Sequence, residues 1–212
     1  MKKILFIIMM LISFVSYSQT KLFVHPNAEN YASKTKSIAI LPLNVQVKLR
    51  PKQLKDFTSE QIVQMQKNEA IDIQKGMHSW FLTRKKRGSL SAQVQTPMRT
   101  NAMLKKAGID IHNLGAYLPS ELGKILGVDC VIMGSFETSK PMSTGASIAI
   151  GVIFGAFGST NAAVCNIDFY NVSDDELVVN YLKKIKGSLG SDSQDMINIL
   201  MRKVTRRIPY TN

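Results

Sequence analysis

The segments AVCNIDFYNV (Ala163 to Val172) and ELVVNYLKKIK (Glu176 to Lys186) both alternate apolar and polar residues, and Ser173-Asp174-Asp175 stands between them. A period of two sends successive side chains to opposite faces of a strand. Asp and Ser favour turns through side-chain to backbone hydrogen bonds. The pair is therefore a β-hairpin, and the rest of the chain must supply the sheet it belongs to and the layer that covers it.

The upstream sequence provides both. Ser37 to Leu49 (SIAILPLNVQVKL) opens with an apolar run and continues with alternation at Val45, Val47 and Leu49, a strand in which Pro42 predicts a bulge or a sheet edge. Thr58 to Arg84 reads as a long helix. Thr58 and Gln61 have capping-box spacing, and Ile62, Met65, Ile73, Met77, Trp80 and Phe81 recur at helical intervals. Gly76 is a place where this helix is expected to break or bend. The run Arg84-Lys85-Lys86-Arg87 suits the negative end of the helix dipole, and Gly88 is the stop.

Ser91 to Thr96 is a short strand ended by Pro97, and Met98 to Gly108 and Pro119 to Gly127 are short helices joined by the turn-prone IDIHNLGAYL. Cys130 to Lys140 begins apolar on both faces, as a central strand does. The closing helix spans Ser191 to Arg207, with Ser191 as N-cap and Arg202, Lys203, Arg206 and Arg207 in its last turns. The order of elements implies an α+β fold: a mixed, mostly antiparallel sheet with helices packed on it.

The first residues carry a different signal. Lys2 and Lys3 precede the unbroken apolar run Ile4 to Ile12, and Ser16-Tyr17-Ser18 places small residues at the −3 and −1 positions of a cleavage site. The run is too short for a membrane span of about twenty residues, so a secretory signal peptide (1–18) is expected, cleaved near Ser18. Residues 19–36 show little periodicity and are expected to be a flexible, exposed lead-in, followed by one domain over 37–212. The formal charge is +12, of which Lys2 and Lys3 contribute two. An exported basic chain meets anionic envelope surfaces before nucleic acid, so Arg84, Lys85, Lys86, Arg87, Arg202, Arg206 and Arg207 are candidate contacts for such surfaces, and no nucleic-acid partner is expected.

Little in the chain points to catalysis. His25, His78 and His112 lack paired-ligand spacing, so no metal site is expected. No glycine-flanked nucleophile elbow surrounds Ser135, and no phosphate-binding loop follows the glycines after Gly145. Asp168, Asp174, Asp175 and Glu176 are the densest acidic group, read as a strand residue followed by a turn rather than an acid/base pair. The expectation is a non-enzyme with no cofactor and no small-molecule substrate. Cys130 and Cys165 sit on two strands of one sheet in an oxidising compartment, which allows a disulfide; unbonded, they are buried small apolar residues.

SIAILPLN at Ser37 to Asn44 and ELGKILGVDCVIMGSFE at Glu121 to Glu137 combine a strand of the form I-A-x-L-P, a helix ending in L-G-x-D, and a strand running into a glycine. This combination resembles a group of bacterial envelope proteins. The group includes the curli-secretion lipoprotein, the outer-membrane lipoprotein activators of penicillin-binding proteins and the N-terminal domain of the Tol translocation protein. The resemblance covers residues 37 to 209. It implies an anticodon-binding-domain-like fold and partners among envelope proteins, in the periplasm or at the outer membrane. The chain departs from the group in lacking a lipobox cysteine after the apolar run, and in an apolar, glycine-rich insertion at 143–161.

Three readings of that insertion stand open. As a helix, GASIAIGVIFGAF (Gly145 to Phe157) is about 20 Å long, too short to span a bilayer, and could only re-enter it or lie on it. As a strand, Ile148, Ile150, Val152 and Phe154 share one face, the arrangement of a membrane-barrel hairpin. Folded on its own sheet, or covering a self-association surface, it never meets lipid. Ile148, Ile150, Val152, Phe154 and Phe157 are accordingly the candidate membrane or partner contacts. The function expected is binding of other envelope components in assembly, secretion or wall synthesis; the alternative is an oligomeric outer-membrane secretion pore using residues 145–158.

Overall fold

A computed structural model describes residues 20–49, 51–55, 57–138, 162–186 and 193–211. It is an α+β protein built on one seven-stranded mixed sheet. The strands are β1 (Thr20–Val24), β2 (Ser37–Ile40), β3 (Asn44–Val47), β4 (Gln93–Val94), β5 (Cys130–Thr138), β6 (Ala162–Asn171) and β7 (Leu177–Lys186). The helices are α1 (Ala28–Lys34), α2 (Pro51–Leu54), α3 (Ser59–Lys86), α4 (Pro97–Lys106), α5 (Pro119–Leu126) and α6 (Ser193–Val204), with a 3-10 turn at Leu114–Ala116. The order across the sheet is β1-β7-β6-β5-β2-β4, and β3 also pairs with β5. The long ladders, β5 with β6 and β6 with β7, are antiparallel; the shorter pairings of β2 and β3 with β5, and of β2 with β4, are parallel.

Pro42 divides the first strand in two. Ile40 pairs with Ile132 and Asn44 with Ser135, so this strand carries one residue more than β5 across the break, a bulge where proline has no N–H to donate. The extra residue shifts the phase of alternation. Ile38 and Ile40 before it and Val45 and Val47 after it all join the same core cluster.

That cluster lies between the sheet and the helices α3 and α6. The sheet contributes Cys130, Ile132, Phe136, Cys165, Ile167, Phe169, Val179 and Tyr181, and α3 contributes Met65, Ile73, Met77 and Phe81. The predicted capping box of α3 is present, with Thr58 N donating to Gln61 Oε1 at 2.8 Å and Gln61 N to Thr58 Oγ1 at 3.3 Å. The predicted break at Gly76 is absent: α3 runs unbroken, and Gly76 is buried between Ile73 and Met77, whose packing holds the helix through the weak residue. Gly88 follows the helix at φ +74°, as the stop requires.

A smaller cluster covers part of the opposite face. Ala39, Leu41, Val131 and Val172 from the sheet meet Leu104, Leu122 and Leu126 from α4 and α5. Gly123 makes this approach close, since a Cβ there would lie 2.1 Å from Val172 Cγ2.

Two expectations change. The lead-in is not irregular: Thr20–Val24 pairs antiparallel with β7, and Ala28–Lys34 forms a helix. Leu22, Phe23 and Val24 remain exposed, so the strand is held by backbone pairing rather than by an apolar face, and α1 buries Ala28 alone. Cys130 and Cys165 are both free. Cys130 stands opposite Asn171 and Cys165 opposite Phe136, six residues apart along the β5–β6 ladder. At about 3.3 Å per residue that is about 20 Å, several times the reach of a disulfide.

Candidate functional site

The predicted basic residues converge because α3 packs beside α6. Trp80 Nε1 donates to Asn198 Oδ1 at 2.7 Å, and one turn further along α3 Arg84 Nε donates to Thr205 Oγ1 at 3.1 Å. This contact joins the C-terminal ends of the two helices. Burial, followed by repulsion from Arg87 and Arg206, lowers the pKa of the Arg84 guanidinium. Arg87 and Arg206 are exposed beside it, and Lys86, Arg202 and Arg207 are also exposed. Lys85 is used differently: its Nζ donates to Ala92 O at 3.0 Å and holds the chain entering β4. Among the described residues, no carboxylate is ion-paired with any of these cations.

A further cation, absent from the sequence-based candidates, borders this pole. Lys183 lies on β7 at the same parity as Val179 and Tyr181, facing the core under α6, and is 4% exposed. Its Nζ has no hydrogen-bond partner. Desolvation lowers its pKa to about 8, with Lys203 and Arg207 of the α6 end adding to the shift. Both lysines are donors when protonated, so the approach of Lys203 is repulsive rather than a hydrogen bond. The signal was legible as parity: Val179, Tyr181 and Lys183 share one strand face, and the third should have been apolar.

The other sheet face carries a notch of about 360 Å³ beside the bulge at Pro42, lined by Asn44, His112, Tyr117, Gly134, Asn166, Asp168 and Tyr170 among others. Gly134 has φ +151°, and a Cβ there would lie 2.0 Å from Asn166 O, so only glycine lets β5 pass β6 this closely. Asp168 is half-buried. Its carboxylate accepts from Asn166 Nδ2 at 2.6 Å and from Asn180 Nδ2. Desolvation raises its pKa, and the two amide hydrogen bonds oppose the rise. His112 at the rim is lowered by burial, then by Lys67, with Asp110 opposing.

The remaining acidic residues hold the hairpin turn. Asp174 accepts from Asn171 Nδ2 at 2.6 Å, from the Glu176 backbone N–H at 3.1 Å and from the Tyr31 hydroxyl at 3.1 Å. Asp175, at φ 59°, accepts from Ser120 N at 2.6 Å and so satisfies an open N–H at the start of α5. Ile148, Ile150, Val152, Phe154 and Phe157 lie outside the described residues. No described helix is long and apolar enough to cross a membrane.

No family model and no curated protein matches the chain. Solved structures similar to it include lipoprotein GNA1162 from Neisseria meningitidis, at 12% identity and TM-score 0.46, covering 81% of this chain and 96% of that one. The PelC dodecamer from Paraburkholderia phytofirmans is similar at 11% identity and TM-score 0.43, covering 92% of this chain and 97% of that one. The LpoB C-terminal domain from Salmonella enterica is similar at 7% identity and TM-score 0.32, covering 76% of this chain and 95% of that one.

Proposed function

We propose that this is an exported, non-enzymatic protein of the cell envelope that binds other envelope components, using the cationic pole at the joined ends of α3 and α6 against anionic partners. The observation that carries the reading is the convergence of Arg84, Arg87 and Arg206 beside Thr205, with no paired carboxylate among the described residues. The signal-peptide pattern of residues 1–18 supports export. The non-enzymatic part of the reading is supported by the acidic residues, which are engaged by asparagine amides and turn N–H groups.

The test is sedimentation of the mature protein with vesicles. Phosphatidylglycerol vesicles are expected to bind it at low salt and release it at high salt, and phosphatidylcholine vesicles to leave it in solution. Arg87→Gln with Arg206→Gln removes two exposed cations, each worth about 1 kcal/mol near an anionic surface, so affinity falls about thirtyfold. Equal binding by the variant and the wild type refutes the contact surface. Isolation from membranes as a large ring that requires detergent would instead favour a secretion pore built with residues 145–158.

A further inference from the structure

Burying a lysine ammonium without a hydrogen-bond partner is among the costlier arrangements a protein can hold, and placing more cations next to it compounds the cost. Lys183 has both features. Its side chain is 4% exposed with an unpartnered Nζ, and the elements around it supply more positive charge. Lys203 in the last turn of α6 and Arg207 in the turn that follows it both act on Lys183 with charge of its own sign. Its sheet neighbours, Cys165 on β6 and Thr20 on β1, carry no negative charge to answer it. Compensation of the α6 dipole explains Lys203, in the last turn of that helix. It does not explain Lys183, which belongs to a strand.

We propose that Lys183, Lys203 and Arg207 form a binding site for a phosphate group, with Lys183 as its buried floor. A tetrahedral anion bearing up to two negative charges matches three converging cations, because a guanidinium donates through a planar fork and an ammonium as a point charge. The proposal rests on the envelope-binding reading and deepens it by naming the group recognised. The phosphate comes either from a membrane headgroup or as the free ion.

The experiment is titration of the full mature chain with inorganic phosphate by calorimetry and 31P NMR, with sodium chloride holding ionic strength constant. Wild type is expected to bind one phosphate saturably. Lys183→Met, which keeps the apolar stem and removes the charge, is expected to lose at least tenfold in affinity. Lys105→Met, an exposed lysine on α4, leaves affinity unchanged. Absence of saturable binding in wild type overturns the site, as does equal binding by Lys183→Met, with folding of each variant verified by circular dichroism.

Vesicles bearing phosphatidic acid identify the source. If free phosphate competes with them for wild type, the site takes the headgroup; if phosphate binds without displacing the vesicles, it takes the free ion. Vesicle binding without any phosphate response overturns the site and leaves the envelope reading standing. A phosphate response without vesicle binding does the reverse.

Discussion

Replacing Lys183 by methionine should stabilise the protein, although most substitutions at 4% exposure destabilise. The ordinary lysine value is 10.5 and the folded value is lowered to about 8 by burial and by Lys203 and Arg207. Below pH 8 the ammonium is charged in both states, and the folded state carries the whole penalty. The unfolded chain binds the extra proton between the two values, so stability rises with pH across that window. At about 1.4 kcal/mol per pH unit, the penalty is about 3 kcal/mol at pH 7 and falls to about 1 kcal/mol by pH 9.5. Urea denaturation of wild type and Lys183→Met at the two pH values isolates Lys183 together with its coupling to Lys203 and Arg207, because titrating groups remote from it cancel in the difference. The variant should be the more stable by roughly 3 kcal/mol at pH 7, with the gap closing as pH rises. A variant less stable than wild type at pH 7, or a gap independent of pH, refutes the placement of an unpaired ammonium under α6. Phosphate should narrow the gap at pH 7 by stabilising wild type more than the weaker-binding variant.

Other positions test the frame of the sheet. Gly134→Ala places a Cβ against Asn166 O at a φ that L residues rarely adopt, and should cost more than about 2 kcal/mol in chemical denaturation. Gly123→Ala drives a methyl into Val172 and should cost about 1–3 kcal/mol, most of it recovered when Val172→Ala is added. Thr58→Ala removes the side-chain half of the capping box and should lower stability by about 1 kcal/mol. Cys130, with its thiol pushed up to about 12 by burial, and Cys165, raised further the same way, should resist a thiol reagent until the chain unfolds, and reductant should leave the melting temperature unchanged.

The elements legible in sequence were those whose evidence is local. The hairpin strands, the α3 capping box, the glycine stop at Gly88 and the bulge at Pro42 all follow from residues near one another. What escaped depends on distant partners. TKLFV at Thr20 to Val24 is held by the backbone of β7 with its apolar side chains exposed, so it showed no amphipathic pattern. Parallel pairing of β5 with β2 and β3 joins segments far apart in the chain, and no residue near either announces it. The disulfide was open from sequence because shared sheet membership is visible there, whereas the six-residue stagger along β5 and β6 is not. For the candidate site, the two basic runs were visible, but their meeting at Thr205 depends on how α3 packs against α6.

The two faces of the hairpin break the alternation rule in different ways, and the difference separates a structural polar group from a candidate binding group. Asp168 lies on the face that α4 and α5 cover only in part, and two asparagine amides answer its carboxylate. Each amide hydrogen bond to an ionised acceptor recovers part of the desolvation cost, so that network is closed without a ligand. Lys183 lies on the face that α3 and α6 cover, in line with the buried Val179 and Tyr181, and the nearby charges share its sign. Nothing within the described residues recovers its cost. A local rule broken without compensation inside the fold marks the place where compensation from outside should be sought.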